Sequence, residues 1–169
     1  MTSTPDSPDR SSARFEYVSH EDAKQGLHTL LNTARHRIDA FAPRFEHAGF
    51  CEPKISQTLN HFAIQEPRGH ARFLIVDEQW FLRFNSRMTE VFRRLSSYFQ
   101  IRKLPPGFPF EAECFVVTDR RNVFHQADLS SPASTAIFDD PRRAYQFERK
   151  FEGYWQASGP LDELFTLGL

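Results

Sequence analysis

Three times in succession the chain follows an amphipathic helical stretch with a short strand, and this alternation constrains the fold more than any other feature. The first unit opens at Ser19-His20-Glu21-Asp22, an N-cap residue with an acid three positions on, and continues with Ala23, Leu27, Leu30, Leu31 and Ala34 at helical spacing. It predicts a helix from about His20 to Arg35. Arg37-Ile38-Asp39-Ala40-Phe41-Ala42 then alternates polar and apolar until Pro43 stops it, the pattern of a short strand. In the second unit Pro53 suits a first helical position, Ile55, Leu59, Phe62 and Ala63 repeat at three and four, and Pro67-Arg68-Gly69 breaks the helix. The consecutive Phe73, Leu74, Ile75 and Val76 then suit a strand buried on both faces. In the third, Phe84, Met88, Val91, Phe92 and Leu95 form a helical stripe, and Phe99-Gln100-Ile101-Arg102-Lys103 alternates like a strand.

After Leu104-Pro105-Pro106-Gly107 the period changes. Cys114-Phe115-Val116-Val117 reads as a buried strand, Asp119-Arg120-Arg121-Asn122 as a polar turn and Val123-Phe124-His125 as the returning strand of a hairpin. Asp139-Asp140-Pro141 suits a helix N-terminus, with Ala144, Phe147, Phe151, Tyr154 and Trp155 on one face to about Ala157, and Gly159-Pro160 ends it. Repeated helix and strand units imply an α/β fold: a mainly parallel central sheet with a C-terminal antiparallel hairpin and helices on both faces. The 169 residues make one domain. Residues 1–13 hold eight Ser, Thr or Pro and no large apolar side chain after Met1, so residues 1–19 are expected to be a disordered tail. The domain then spans 20–158. The C-terminal tail, 159–169, carries Leu161, Leu164, Phe165, Leu167 and Leu169, which need something to cover them.

Composition excludes several classes. No apolar run approaches 18 residues, and the N-terminus lacks a basic segment followed by an apolar one, so neither a membrane span nor a secretory signal is expected. Cys51 and Cys114 read as reduced thiols of a cytoplasmic protein. A net charge of -1 argues against a nucleic-acid binder basic over its whole surface. The 18 Phe against four Tyr and two Trp should mostly be core. Phe62, Phe73, Phe92, Phe115, Phe147 and Phe151 fall on inward faces, and Phe84 shares the core stripe of the third helix. Phe45 and Phe50 fit no periodicity: an exposed patch for a partner and a packed loop lid are both open for them.

The layout resembles a single lobe of the phospholipase D superfamily. The resemblance covers roughly residues 20 to 158 and rests on the element order, on Cys114-Phe115-Val116-Val117-Thr118-Asp119, and on Phe151-Glu152-Gly153-Tyr154-Trp155 in the closing helix. It implies the fold of such a lobe, similar to uncharacterised bacterial domains of this kind. The family's catalytic signature, H-x-K followed by Asp, is not met. With its Asp placed on Asp119, Ala112 stands where the nucleophilic histidine belongs and Cys114 where the phosphate-binding lysine belongs. Neither side chain can supply that chemistry. The resemblance therefore implies a catalytically inactive domain, with no cofactor, acting as a binding or regulatory module for an anionic ligand or a protein partner, a homodimer included. The alternative is a phosphodiesterase or nuclease with a rearranged site, metal-dependent or metal-free, built around Asp77, Asp119 and His125.

Other candidates keep two readings. Asp119 is either a surviving functional carboxylate or a turn residue bonding its local backbone. Asp77, Glu111, Glu113 and Asp119 could offer oxygen ligands to a divalent cation or form a solvated acidic rim; no metal site is expected. The scattered histidines, His125 among them, show no metal-ligand spacing, and Cys114 among apolar neighbours should be buried and inert. The most distinct polar feature is basic. Arg83, Arg87, Arg93, Arg94, Arg102 and Lys103 face the single acid Glu90 between positions 83 and 103. On one continuous helix Arg83, Arg87 and Arg94 lie within about 40° of one direction. Arg83, Arg87, Arg94, Arg102 and Lys103 are thus candidates for binding an anion, with a solvated helix face as the plainer reading. Nucleic acid as the anion stays undecided.

Overall fold

A computed structural model describes residues 12–45 and 49–161. Its eight strands are β1 (Ala13–Tyr17), β2 (Arg37–Phe41), β3 (His70–Ile75), β4 (Phe99–Lys103), β5 (Cys114–Thr118), β6 (Asn122–Gln126), β7 (Ser134–Phe138) and β8 (Gly159–Pro160). Five helices accompany them: α1 (His20–Asn32), α2 (Pro53–Gln65), α3 (Glu78–Phe84), α4 (Ser86–Arg94) and α5 (Pro141–Ala157). The strands form one sheet in the order β1-β7-β6-β5-β2-β3-β4-β8. α1 to α4 cover one face, where Leu27, Leu59, Phe73 and Phe92 are buried. α5 covers the other, over Phe41, Leu74, Phe115 and Val123.

Local signals explain most of these elements. Ser19 caps α1, its hydroxyl accepting from the Asp22 amide at 3.1 Å, and Asp140 caps α5 by accepting from the Arg143 amide at 3.0 Å with Pro141 in the first turn. Alternation places Ile38 and Ala40 toward α1 while Arg37, Asp39 and Phe41 face α5.

The sheet is mostly antiparallel, which corrects the mainly parallel arrangement expected. Only β2–β3 and β3–β4 are parallel; β1–β7, β7–β6, β6–β5, β5–β2 and β4–β8 are antiparallel. The helix–strand alternation did produce parallel neighbours wherever it operated. It ends at β4; β5, β6 and β7 are then joined by short connections that reverse direction, while β1–β7, β5–β2 and β4–β8 pair strands that are not consecutive in the chain. β7 is hidden in the sequence because Ser131-Pro132-Ala133-Ser134-Thr135 has the composition of a loop. β1 lies inside the stretch expected to be a disordered tail, and its pairing with β7 from Ala13↔Phe138 to Tyr17↔Ser134 is tertiary in origin. Residues 1–11 lie outside the described residues, as do Leu164, Phe165, Leu167 and Leu169. Leu161, assigned to the C-terminal tail, is fully buried in the α1–α4 core.

The single third helix expected to carry the basic face is two. Asn85, at φ -121° and ψ 48°, ends α3 and begins α4. The common direction of Arg83, Arg87 and Arg94 therefore does not hold, and Phe84, assigned to the core stripe, is 53% exposed. Phe45 and Phe50 resolve as a packed lid: both are fully buried, 4.7 Å apart between ring centroids, and Phe45 also meets Phe73 and Phe81. Truncating such a ring leaves a cavity, so Phe45→Ala should cost about 3–5 kcal/mol. Urea unfolding would read this as a lowered midpoint at unchanged slope, and a loss below about 1 kcal/mol would contradict the packed-lid description.

Candidate functional site

β5 begins beside the end of β2, because Phe41 pairs with Phe115 in antiparallel register. This edge, beyond the carboxyl ends of the parallel strands, is where such sheets place ligands. Ala112 is exposed there. Cys114 faces the opposite way, fully buried in the α1–α4 core, and burial pushes its thiol far above the ordinary range, first by desolvation and then by the Glu113 charge. Such a thiol is inert as a nucleophile.

Asp119 stands at the other end of β5. In the hairpin tip, at φ 52°, its carboxylate accepts the backbone N–H groups of Arg35, His36 and Arg37 at 2.9, 2.7 and 3.0 Å. Asp119 thus sits in the turn as expected, but the backbone its carboxylate binds is the distant α1–β2 connection and not that of its own turn. Its own N–H donates to the Arg37 carbonyl at 2.9 Å, so the hairpin tip and that connection clasp each other.

The rearranged site of Asp77, Asp119 and His125 is not assembled. Asp77 caps α3, accepting from the Trp80 amide at 3.0 Å, and lies 3.5 Å from Arg44. It follows β3, three strands from β6, or roughly 14 Å at ~4.8 Å per strand. His125 pairs with Phe115, while the tip carrying Asp119 lies four residues along, roughly 13 Å away. Among the described residues no group of three or more His, Cys, Asp or Glu is placed to hold a metal ion.

His125 instead belongs to a charged cluster at the start of β5. Its Nε2 lies 2.7 Å from Glu113 Oε2, while Lys150 of α5 donates to Glu113 Oε1 at 2.6 Å and to Glu111 Oε2 at 2.9 Å. The Glu113 side chain is only 5% exposed. Desolvation would raise its carboxyl, but the hydrogen bonds from His125 and Lys150 outweigh this and hold it below the ordinary value. Lys150 is raised in turn: its bonds to Glu113 and Glu111 outweigh its own desolvation. Phe147 closes the site, 4.7 Å from the His125 ring.

A second cluster was missed in the sequence. Asp39 of β2, 1% exposed, accepts from Arg37 Nε and Arg72 Nε, each at 2.8 Å. Both arginines also reach Glu152 of α5. Arg72 lies over the rings of Phe151 and Trp155 at 4.9 and 5.1 Å. The Arg72 hydrogen bond holds Glu152 below its ordinary value, against its desolvation. A charged residue in a strand covered on both faces was the available signal, since such a group must be paired.

The basic candidates are dispersed. Arg102 faces α5 and stacks on Trp155 at 4.4 Å. Lys103 is bonded to Glu78, and Arg94 donates to Asn60 Oδ1 at 2.6 Å. Arg83 covers the Phe84 ring at 5.3 Å. Arg87 is exposed in the first turn of α4.

This three-layer arrangement, with its parallel β2-β3-β4 half and its β5–β6 hairpin, defines the phospholipase D-like class of α/β fold. Nuc from Salmonella typhimurium, a phospholipase D family member, superposes with a TM-score of 0.64 at 16% identity over 89% of this chain and 99% of its own. NucT from Helicobacter pylori gives 0.61 at 12% identity over 89% and 100%. The archaeal chromatin protein TrmBL2 gives 0.63 at 14% identity over 92% of this chain, which spans 56% of that protein. The chain belongs to the family described as Domain of unknown function (DUF7931), whose model matches residues 19–167. No curated protein matches it.

Because Glu113 titrates lower when folded, it stabilises the fold fully above the ordinary carboxyl value near 4.5 and loses that contribution as pH falls through its folded value. Glu113→Gln should therefore cost about 1.5–3 kcal/mol at pH 7 and progressively less below pH ~4.5. Urea midpoints across pH 3–7 measure this, and a variant deficit that does not shrink in acid would contradict it.

Proposed function

We propose that this phospholipase D-like domain has lost phosphodiesterase chemistry and acts as a binding or regulatory module for an anionic ligand or a protein partner. The observation that carries the reading is the use made of the three motif positions: Ala112 offers no nucleophile, Cys114 points into the core, and Asp119 holds the α1–β2 backbone. Glu113 and His125, the groups beside them with acid–base chemistry, are bonded to each other, and Glu113 is tied to Lys150 as well.

Anionic recognition is supported by the excess of arginine between positions 83 and 103, now centred on Arg87 because Arg94, Arg102 and Lys103 have partners within the fold. TrmBL2, described as a chromatin protein with a novel mode of DNA binding, presents a similar fold, so nucleic-acid phosphate is among the anions to test. A cytoplasmic place of action agrees with two cysteines that form no disulfide. No helix among the described residues is long and apolar enough to cross a membrane.

The test is a panel of activated phosphodiesters, phospholipids and oligonucleotides assayed with and without divalent metals. No turnover above the protein-free control is expected. Metal-dependent turnover abolished in Asp119→Asn would overturn the reading in favour of a rearranged catalytic site.

A further inference from the structure

The break between α3 and α4 leaves a collection of hydrogen-bond donors around one cavity. The cavity, of about 300 Å³, is lined by Cys51, Phe84, Asn85, Ser86, Arg87 and Met88. α4 is nine residues long and begins here, so its partial positive charge faces this space. Asn85 does not cap it with its side chain. The Thr89 amide bonds the Asn85 carbonyl at 2.9 Å, but the amides of Ser86, Arg87 and Met88 meet no acceptor among the described residues.

A second observation concerns the side chain of Asn85 and not the helix backbone. Asn85 is 3% exposed, and its Oδ1 accepts from Cys51 Sγ at 3.0 Å, yet its Nδ2 is buried without any acceptor. An unpartnered buried donor costs roughly 1–3 kcal/mol, so a fold retains one where something else accepts from it. The charge around it has the matching sign. The first turn of α4 has no acid, Arg87 has no ion pair among the described residues, and Glu52, next to Cys51 in the chain, is paired with Lys24 at 3.0 Å.

We propose that the α3–α4 break is a binding site for a phosphomonoester-type oxyanion, held by the Ser86, Arg87 and Met88 amides, the Ser86 hydroxyl, Asn85 Nδ2 and the Arg87 guanidinium. A carboxylate offers about four acceptor sites, fewer than these donors can fill, whereas a tetrahedral phosphate has three terminal oxygens and fits a helix N-terminus. The half-exposed Phe84 ring forms a wall for the group that carries the phosphate. The site lies at the helix that returns from the carboxyl end of β3, on the α1–α4 face, and uses none of positions 112, 114 and 119. It deepens the anion-binding reading above and rests on it.

Cys51, exposed on the cavity wall, supplies the readout, since Cys114 is buried. Alkylation of Cys51 would be timed with inorganic phosphate, with glycerol 3-phosphate, and with chloride at matched ionic strength. Both phosphates should slow the reaction while chloride does not, and greater protection by one of them identifies a free or an esterified phosphate as the source. In Arg87→Glu the half-protecting concentration should rise roughly tenfold or more. Asn85→Leu, checked by circular dichroism, should weaken protection too; Ser86→Ala serves in its place if that variant does not fold. Equal protection by chloride, no protection, or protection unchanged in Arg87→Glu would overturn the site. Retention of the wild-type chain on phosphocellulose separates the two claims: retention without Cys51 protection removes the site alone, and loss of both removes anion binding as well.

Discussion

Asp39 is the constraint to which the rest of the structure answers. Its carboxylate sits in β2, the strand where the parallel and antiparallel halves of the sheet meet, and is almost wholly removed from water. A charge in that position is stable only with opposite charge and hydrogen bonds on both oxygens. Arg37 on its own strand and Arg72 on β3 supply one each, and Glu152 of α5 balances the second positive charge. Phe151 and Trp155 cover the guanidinium of Arg72. The register of β2 on β3 and the docking of α5 are thus fixed together, and the second follows from the first.

That docking sets the charged cluster at the start of β5. With Glu152 held over Asp39, the preceding turn of α5 carries Lys150 above Glu113 and Phe147 against His125. Asp119 does similar work at the other end of the strand, where the hairpin tip holds the α1–β2 connection. The edge beyond the carboxyl ends of the parallel strands is occupied by side chains engaged with one another. The proposed non-catalytic role rests on this engagement. The α3–α4 break is different in kind: there the donors outnumber the acceptors.

Much of the fold was legible from periodicity, because helix and strand stripes reflect burial on one face and those faces meet only in a layered architecture. β2, β3 and β4, the β5–β6 hairpin and α5 follow from residues such as Phe73, Val116 and Phe151, and the resemblance to a phospholipase D-like fold was readable too. β1 and β7 were not, since pairing with each other stabilises them and their composition matches the loops around them. The helix break at Asn85 was equally hidden: Phe84 to Leu95 satisfies a single helical stripe, and the contact of Asn85 with Cys51, 34 residues away, is tertiary. Of the site, single residues were visible but not their pairings. Glu113 meets His125 through strand register and Lys150 through α5 docking, neither of which a local pattern encodes.

The dependence on Asp39 is open to a direct measurement, a double-mutant cycle of Asp39→Asn and Arg72→Met followed by urea unfolding. Breaking a buried pair from either side should cost about 3–5 kcal/mol, while the double variant should recover at least ~1.5 kcal/mol of the summed loss, because no uncompensated charge remains between the partners. Losses that add within about 0.5 kcal/mol would show that the two side chains act independently and would contradict the account.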